Sequence, residues 1–162
     1  MAHAHSTILR PRVSLAGMRR HSVLFLGCAE PAILAALERF FAVQCLDGNG
    51  ERFALREHLA DKAALISAKT LVIDATDLHA APMLRAICSI VPGATGIDLA
   101  ACTRAGVMVT DVPQRGHDAT SRLTMSLIAV DNLIAAFGFG RLGGHPKRLL
   151  NTELRCLLGC CL

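Results

Sequence analysis

The stretch that decides the fold is "LRAICSIVPGATGIDLAACTRAGVMVTDVP", residues 84–113. It opens with an apolar run, 84–91, which reads as a strand. Pro92 and Gly93 break it. "DLAACTRAG" then reads as a short helix, with Asp98 in its first turn and Gly106 as its stop. A second apolar run, 107–113, reads as another strand. Both strands are continuous rather than alternating. That pattern belongs to strands buried on both faces, which means parallel strands joined by a crossover helix.

The chain before this stretch repeats the unit. "HSVLFLG" (21–27) reads as a first strand ending in Gly. "AEPAILAALERF" (29–40) reads as a helix, with Pro31 in its first turn and Ile33, Leu34 and Leu37 at helical spacing. "FAVQCLD" (41–47) is a second strand, closed by Gly48, Asn49 and Gly50. "RFALREHLAD" (52–61) is an amphipathic helix and "AALIS" (63–67) a third strand. "TLVID" (70–74) reads as a short extension of it. "TDLHAAPML" reads as a brief helix that ends near Pro82. Strands alternating with short helices predict the doubly wound α/β class.

After residue 113 the pattern changes. Residues 118–137 read as one long helix, with Leu123, Leu127, Val130, Ile134 and Phe137 as its apolar stripe. Asp118, Thr120 or Ser121 caps its start, and Gly138 sits where a helix-ending glycine belongs. Residues 138–162 are expected to form an irregular tail, and residues 1–21 a basic leader. The domain proper is then 22–137.

Composition agrees with one folded domain. Of 162 residues, 52% are hydrophobic and 19% charged, too apolar for disorder. The net charge is +4, and Arg10, Arg12, Arg19 and Arg20 in the leader carry much of the excess. That leader reads either as a frayed segment or as a loosely transit-like one. Stacking aromatics are scarce and no nucleic-acid motif accompanies the basic residues, so no nucleic-acid partner is expected. The longest apolar candidate, Leu123 to Phe137, is interrupted by Asp131 and Asn132. No membrane span is expected, since one needs about 20 apolar residues. Seven cysteines are present. The first four, Cys28, Cys45, Cys88 and Cys102, lie among apolar residues, as small hydrophobes do in a reduced cytoplasmic protein. Cys156, Cys160 and Cys161 lack metal-site spacing.

Gly138, Gly140 and Gly143 spell G-x-G-x-x-G, the fingerprint of a pyrophosphate-binding loop. Such a loop must follow a strand, open a helix and precede an acidic residue about 20 positions on. Here "LIAAF" continues the preceding helix, and Gly144 and Pro146 oppose a helix start. Glu153 comes too early. The three glycines therefore read as a helix stop rather than a cofactor loop. Asp74, Asp77 and His79 cluster in "DATDLHAAP". A metal would suit them, but a surface turn accounts for them as well.

Residues 84–113 also resemble the substrate-domain signature of the D-isomer-specific 2-hydroxyacid dehydrogenases. That signature runs strand, G-V-G-type loop, Ile-Asp, A-A-x-x-x-G, and a strand ending in V-x-N-x-P. Ile97-Asp98, Ala100-Ala101, Gly106 and Val112-Pro113 fall at the matching positions. A second stretch, 120–151, resembles the family's far C-terminal segment, T-R-x-x-M…N-L-I-A. Arg122, Met125, Asn132 and Leu133 match it, and "HPKRLLN" resembles the family tail. In the family a cofactor-binding Rossmann domain lies between the two segments. Here they join directly near residues 113–120.

The resemblance implies a flavodoxin-like parallel sheet flanked by helices, with the long C-terminal helix returning onto it. It implies an oxidoreductase that uses NAD or NADP on a small 2-hydroxy or 2-keto acid, and also what is missing. The family's catalytic Arg and Glu belong to the absent domain, so no cofactor is expected to bind this chain alone. Gln114 stands where the general acid/base His follows a Pro, and Gln cannot exchange a proton near neutral pH. His117 is a displaced candidate or a solvent-facing side chain. Val91, Pro92 and Gly93 match the loop whose N–H groups bind the substrate carboxylate. Pro92 has no N–H to give, and Val91 replaces a glycine. The alternatives are a non-enzymatic module for a small carboxylate or a protein partner at the exposed interdomain face, and a remnant of an internal deletion.

Overall fold

A computed structural model describes residues 20–47, 52–114, 116, 118–138 and 146–154, without the side chains of 52–54. Five parallel strands form one sheet in the order β2-β1-β3-β4-β5. The strands are β1 (Ser22–Leu26), β2 (Ala42–Leu46), β3 (Ala64–Ser67), β4 (Ala86–Ser89) and β5 (Met108–Thr110). The helices are α1 (Pro31–Glu38), α2 (Arg52–Leu59), α3 (Ala75–Ala80), α4 (Leu99–Arg104) and α5 (Ala119–Ala136). This is the flavodoxin-like order expected from the sequence.

The apolar runs are continuous because both sheet faces are covered. Leu24, Leu26, Leu65, Ile87 and Val109 point to one face, where Leu55, Leu59, Leu78, Ala101 and Cys102 of α2, α3 and α4 bury them. Val23, Phe25, Ala64, Ile66, Ala86 and Cys88 point to the other, under α1 and α5. In β1, β3 and β4 successive residues alternate between two buried layers, so their runs stay nearly apolar, whereas β2, at the sheet edge, has no buried residue and carries Gln44.

Several local expectations need correction. "TLVID" adds no strand to β3: Ile73 makes a single parallel bridge to Ile97 instead. Gly96 beside it has φ +95°, and a Cβ there would lie 2.6 Å from the Leu71 carbonyl oxygen. Asp74 stops the extended segment because it caps α3. Its side chain accepts N–H bonds from Thr76 and Asp77, while Asp77 returns the contact to the Asp74 N–H. Asp77 is no surface-turn residue. It is buried and its Oδ1 accepts the Arg56 Nε–H at 2.5 Å.

The stripe of α5 differs from its expected make-up at Leu127 alone: Val130 is buried, and Leu123, Ile134 and Phe137 pack partly buried against the same cluster. Ala129, Val130, Asn132 and Leu133 are buried, whereas Leu127 is 43% exposed. The helix must meet both the sheet and α1, and that contact surface centres on the 129–133 turn. Its ends match the sequence. Asp118 accepts the Ser121 N–H at the start, and Gly138, at φ +73°, donates to Ala135 O at the stop. Cys28 and Cys45 are exposed, so only Cys88 and Cys102 of these four act as buried hydrophobes.

Residues 146–154 are irregular but packed. Leu149 bridges antiparallel to Thr110, and the Leu150 N–H donates to Val109 O. Asn151 is buried, and its side chain accepts from Val109 N–H and donates to Val107 O. Leu149 and Leu154 close over Met108. This strap covers the β5 edge of the sheet and satisfies backbone groups that an edge strand leaves open.

Candidate functional site

Strands of a parallel sheet deliver their following loops to one end, the usual place for a ligand. β4 exits there into Val91–Pro92–Gly93, and β5 exits into Asp111. Val91 is extended, Pro92–Ala94 makes a tight 3-10 turn, and Gly93 takes φ +81°. The Ser89 hydroxyl donates to Val91 O at 2.7 Å and holds the exit. Ala94 follows at φ +45° and is buried.

The loop meets a carboxylate from within the chain. The Gly93 N–H donates to Asp111 Oδ2 at 2.9 Å. Arg148, on the strap, donates through Nε to Asp111 Oδ1 at 2.8 Å and through Nη2 to Oδ2 at 3.1 Å. Asn132 of α5 donates to the Asp111 carbonyl at 3.4 Å. Asp111 is 1% exposed, against 49% for the Arg148 side chain. The hydrogen bond and the charge of Asp111 hold the Arg148 guanidinium above its ordinary pKa. One buried residue thus ties together the loop, β5, α5 and the strap. It stands at the Asn position of V-x-N-x-P. The sequence reading missed it because Arg148 lies far along the chain and only the fold brings the two together.

The other candidates do not assemble with this group. Gln114 is exposed on the segment between β5 and α5, and His117 lies outside the described residues. Gly138 follows a helix, not a strand, and Gly140 and Gly143 lie outside the described residues. A cleft of about 420 Å³ lies between α3 and α4, lined by Leu78, His79, Pro82 and Arg104 among others. Asp74 and Asp77 are engaged in the cap, and no metal-ligating group of three forms among the described residues. No helix among them is long and apolar enough to cross a membrane.

A family model for the D-isomer specific 2-hydroxyacid dehydrogenase catalytic domain matches residues 23–140. The chain belongs to this family. Among curated relatives, the glyoxylate reductase of Aeropyrum pernix is 30% identical over 152 residues, covering 85% of this chain and 45% of that protein. Among solved structures, the TT0316 protein of Thermus thermophilus is 27% identical with a TM-score of 0.53. That match covers 78% of this chain and 43% of the other. The NAD+-bound 3-phosphoglycerate dehydrogenase of Entamoeba histolytica shares the fold at 14% identity and TM-score 0.54, over 76% and 42% of the two chains. This 2-hydroxyacid dehydrogenase catalytic domain spans less than half the length of each of the three.

Proposed function

We propose that the chain is the substrate domain of an NAD(P)-dependent D-2-hydroxyacid dehydrogenase for a small 2-hydroxy or 2-keto acid, glyoxylate among them, and that it lacks independent turnover. The observation that carries this reading is the junction. β5 ends at Thr110 and α5 begins at Ala119, so residues 111–118 alone join the family's two substrate-domain segments. α5 then packs directly on β4, β5 and α1. A cofactor domain inserted in that connection would supply the Arg, the Glu and the nicotinamide, and so short a connection cannot contain one.

The loop supports the same reading. Of the three positions matched to the carboxylate loop, Pro92 has no N–H and Gly93 spends its own on Asp111. Gln114 offers no titratable group in place of the general acid/base. Four free thiols among the described residues suit a reducing cytoplasm, where the reading places the protein.

The test is titration of the purified chain with NADH, followed by glyoxylate reduction with NADH or NADPH. Neither saturable NADH binding nor turnover is expected. Micromolar NADH binding, or steady turnover that scales with protein, refutes the reading.

A further inference from the structure

Asp111 is held as a free carboxylate is held at an anion site. A backbone N–H meets one oxygen, and a guanidinium fork meets both. The carboxylate and its donors come from three separate places in the chain: the end of β5, the β4 loop and the strap. Arg148 keeps φ +58°, a left-handed conformation that L side chains rarely adopt. Its carbonyl accepts the Asp111 N–H at 3.5 Å, and its guanidinium turns onto the Asp111 side chain. The pair is therefore built, with a strained residue fixed where the fork meets the carboxylate.

We propose that Gly93 and Arg148 form a carboxylate receptor whose guest is the chain's own Asp111, so that residue 111 decides whether the site takes a free carboxylate. The proposal rests on the substrate-domain reading only for the choice of glyoxylate as one probe. The donor geometry itself specifies the class. Parallel N–H groups of one guanidinium match two coplanar oxygens, and the side chain that fills the space is an acetate on a backbone. Truncation to Ala keeps Cβ and vacates the space of one carboxylate group, which matches formate and crowds the second carbon of glyoxylate, since Asp111 is almost wholly enclosed. In the native chain the guest is tethered, and its effective concentration excludes a free competitor.

The experiment compares the native chain, Asp111→Ala and Asp111→Ala/Arg148→Gln, each titrated with sodium formate and sodium glyoxylate, with chloride as the ionic control. Calorimetry and the shift in thermal midpoint are the readouts, with no nucleotide present. Saturable millimolar binding of formate, and weaker binding of glyoxylate, is expected for Asp111→Ala and none for the native chain. The double variant should bind about tenfold more weakly or worse, for loss of the charged fork. A folded Asp111→Ala that ignores both acids overturns the proposal. So does native protein that binds them as tightly, or a double variant that binds undiminished. If Asp111→Ala does not fold in buffer, refolding in formate against equal chloride decides. Recovery specific to formate supports the receptor, and equal or no recovery in both rejects it. Nucleotide-dependent turnover by the native chain would defeat the substrate-domain reading while leaving these binding results intact.

Discussion

Cys88 and Cys102 show how burial acts on a single residue. Desolvation pushes the Cys88 thiol up from its ordinary 9.0 to about 12, against a small opposing contribution from the Thr110 hydroxyl. Cys102 rises to about 11, through desolvation and then the charge of Asp98. Both thiols stay protonated in the fold while the unfolded chain titrates near 9.0. Above that pH the unfolded state binds fewer protons than the folded one, so stability is full below it and falls as pH rises. The urea midpoint should therefore drop as pH rises from about 9 to about 11, and less steeply in Cys88→Ala/Cys102→Ala. Brief iodoacetamide treatment at about pH 8, mapped by mass spectrometry, should label Cys28 and Cys45 and spare the buried pair. An unchanged slope in the double variant would place the alkaline loss elsewhere. Sequence alone saw four similar thiols, because depth within a sheet layer is not a local property.

Helix α5 shows what periodicity can and cannot reveal at the scale of an element. Its ends are legible: Asp118 and Gly138 do the local capping that their residue types suggest. Its face is legible only in part: Leu123, Val130, Ile134 and Phe137 reach the core as their spacing suggests, but spacing does not tell that Leu127 stays outside while Ala129 and Leu133 are enclosed. The position of α1 and the sheet decides between them. Leu133→Ala should cost about 2–5 kcal/mol, the range for a cavity in a packed core. Leu127→Ala should stay within about 0.5 kcal/mol, as an exposed position does. Equal effects in equilibrium denaturation would mean that the helix is rotated from the orientation described. The inner strands were legible for a firmer reason, since burial on two sides leaves an unbroken apolar run, while β2, exposed at the edge, was legible from Val43, Leu46 and its closing turn residues. The strap was not legible. Asn151 works through Val107 and Val109, and nothing in "HPKRLLN" names those partners. The same blindness hid Asp111, whose partners Gly93, Asn132 and Arg148 are scattered along the chain.

For the molecule as a whole, the order of the chain and the order of the core disagree. Residues 22–113 supply all five strands and four of the helices, which looks like a finished domain. Yet one face of the sheet depends on α5, and the β5 edge depends on the strap. Without them Val23, Phe25, Ala64, Ile66, Ala86 and Cys88 would keep only α1 as cover. The pieces before and after the junction meet in space, so a long insertion between them would leave their contacts in place. Neither piece is then expected to fold as a domain alone. A chain stopped at Pro113 should bury too little apolar surface to offset its conformational entropy. It should show no cooperative urea transition and should bind an apolar dye such as ANS, as collapsed chains without fixed packing do. Adding residues 114–162 as a separate polypeptide should restore a cooperative transition whose midpoint rises with the concentration of the added piece. A truncated chain that unfolds cooperatively by itself would show that α5 and the strap are accessories. The close-packed face under α5, with Leu133 and Ala129 fully enclosed, argues that they are half of the core.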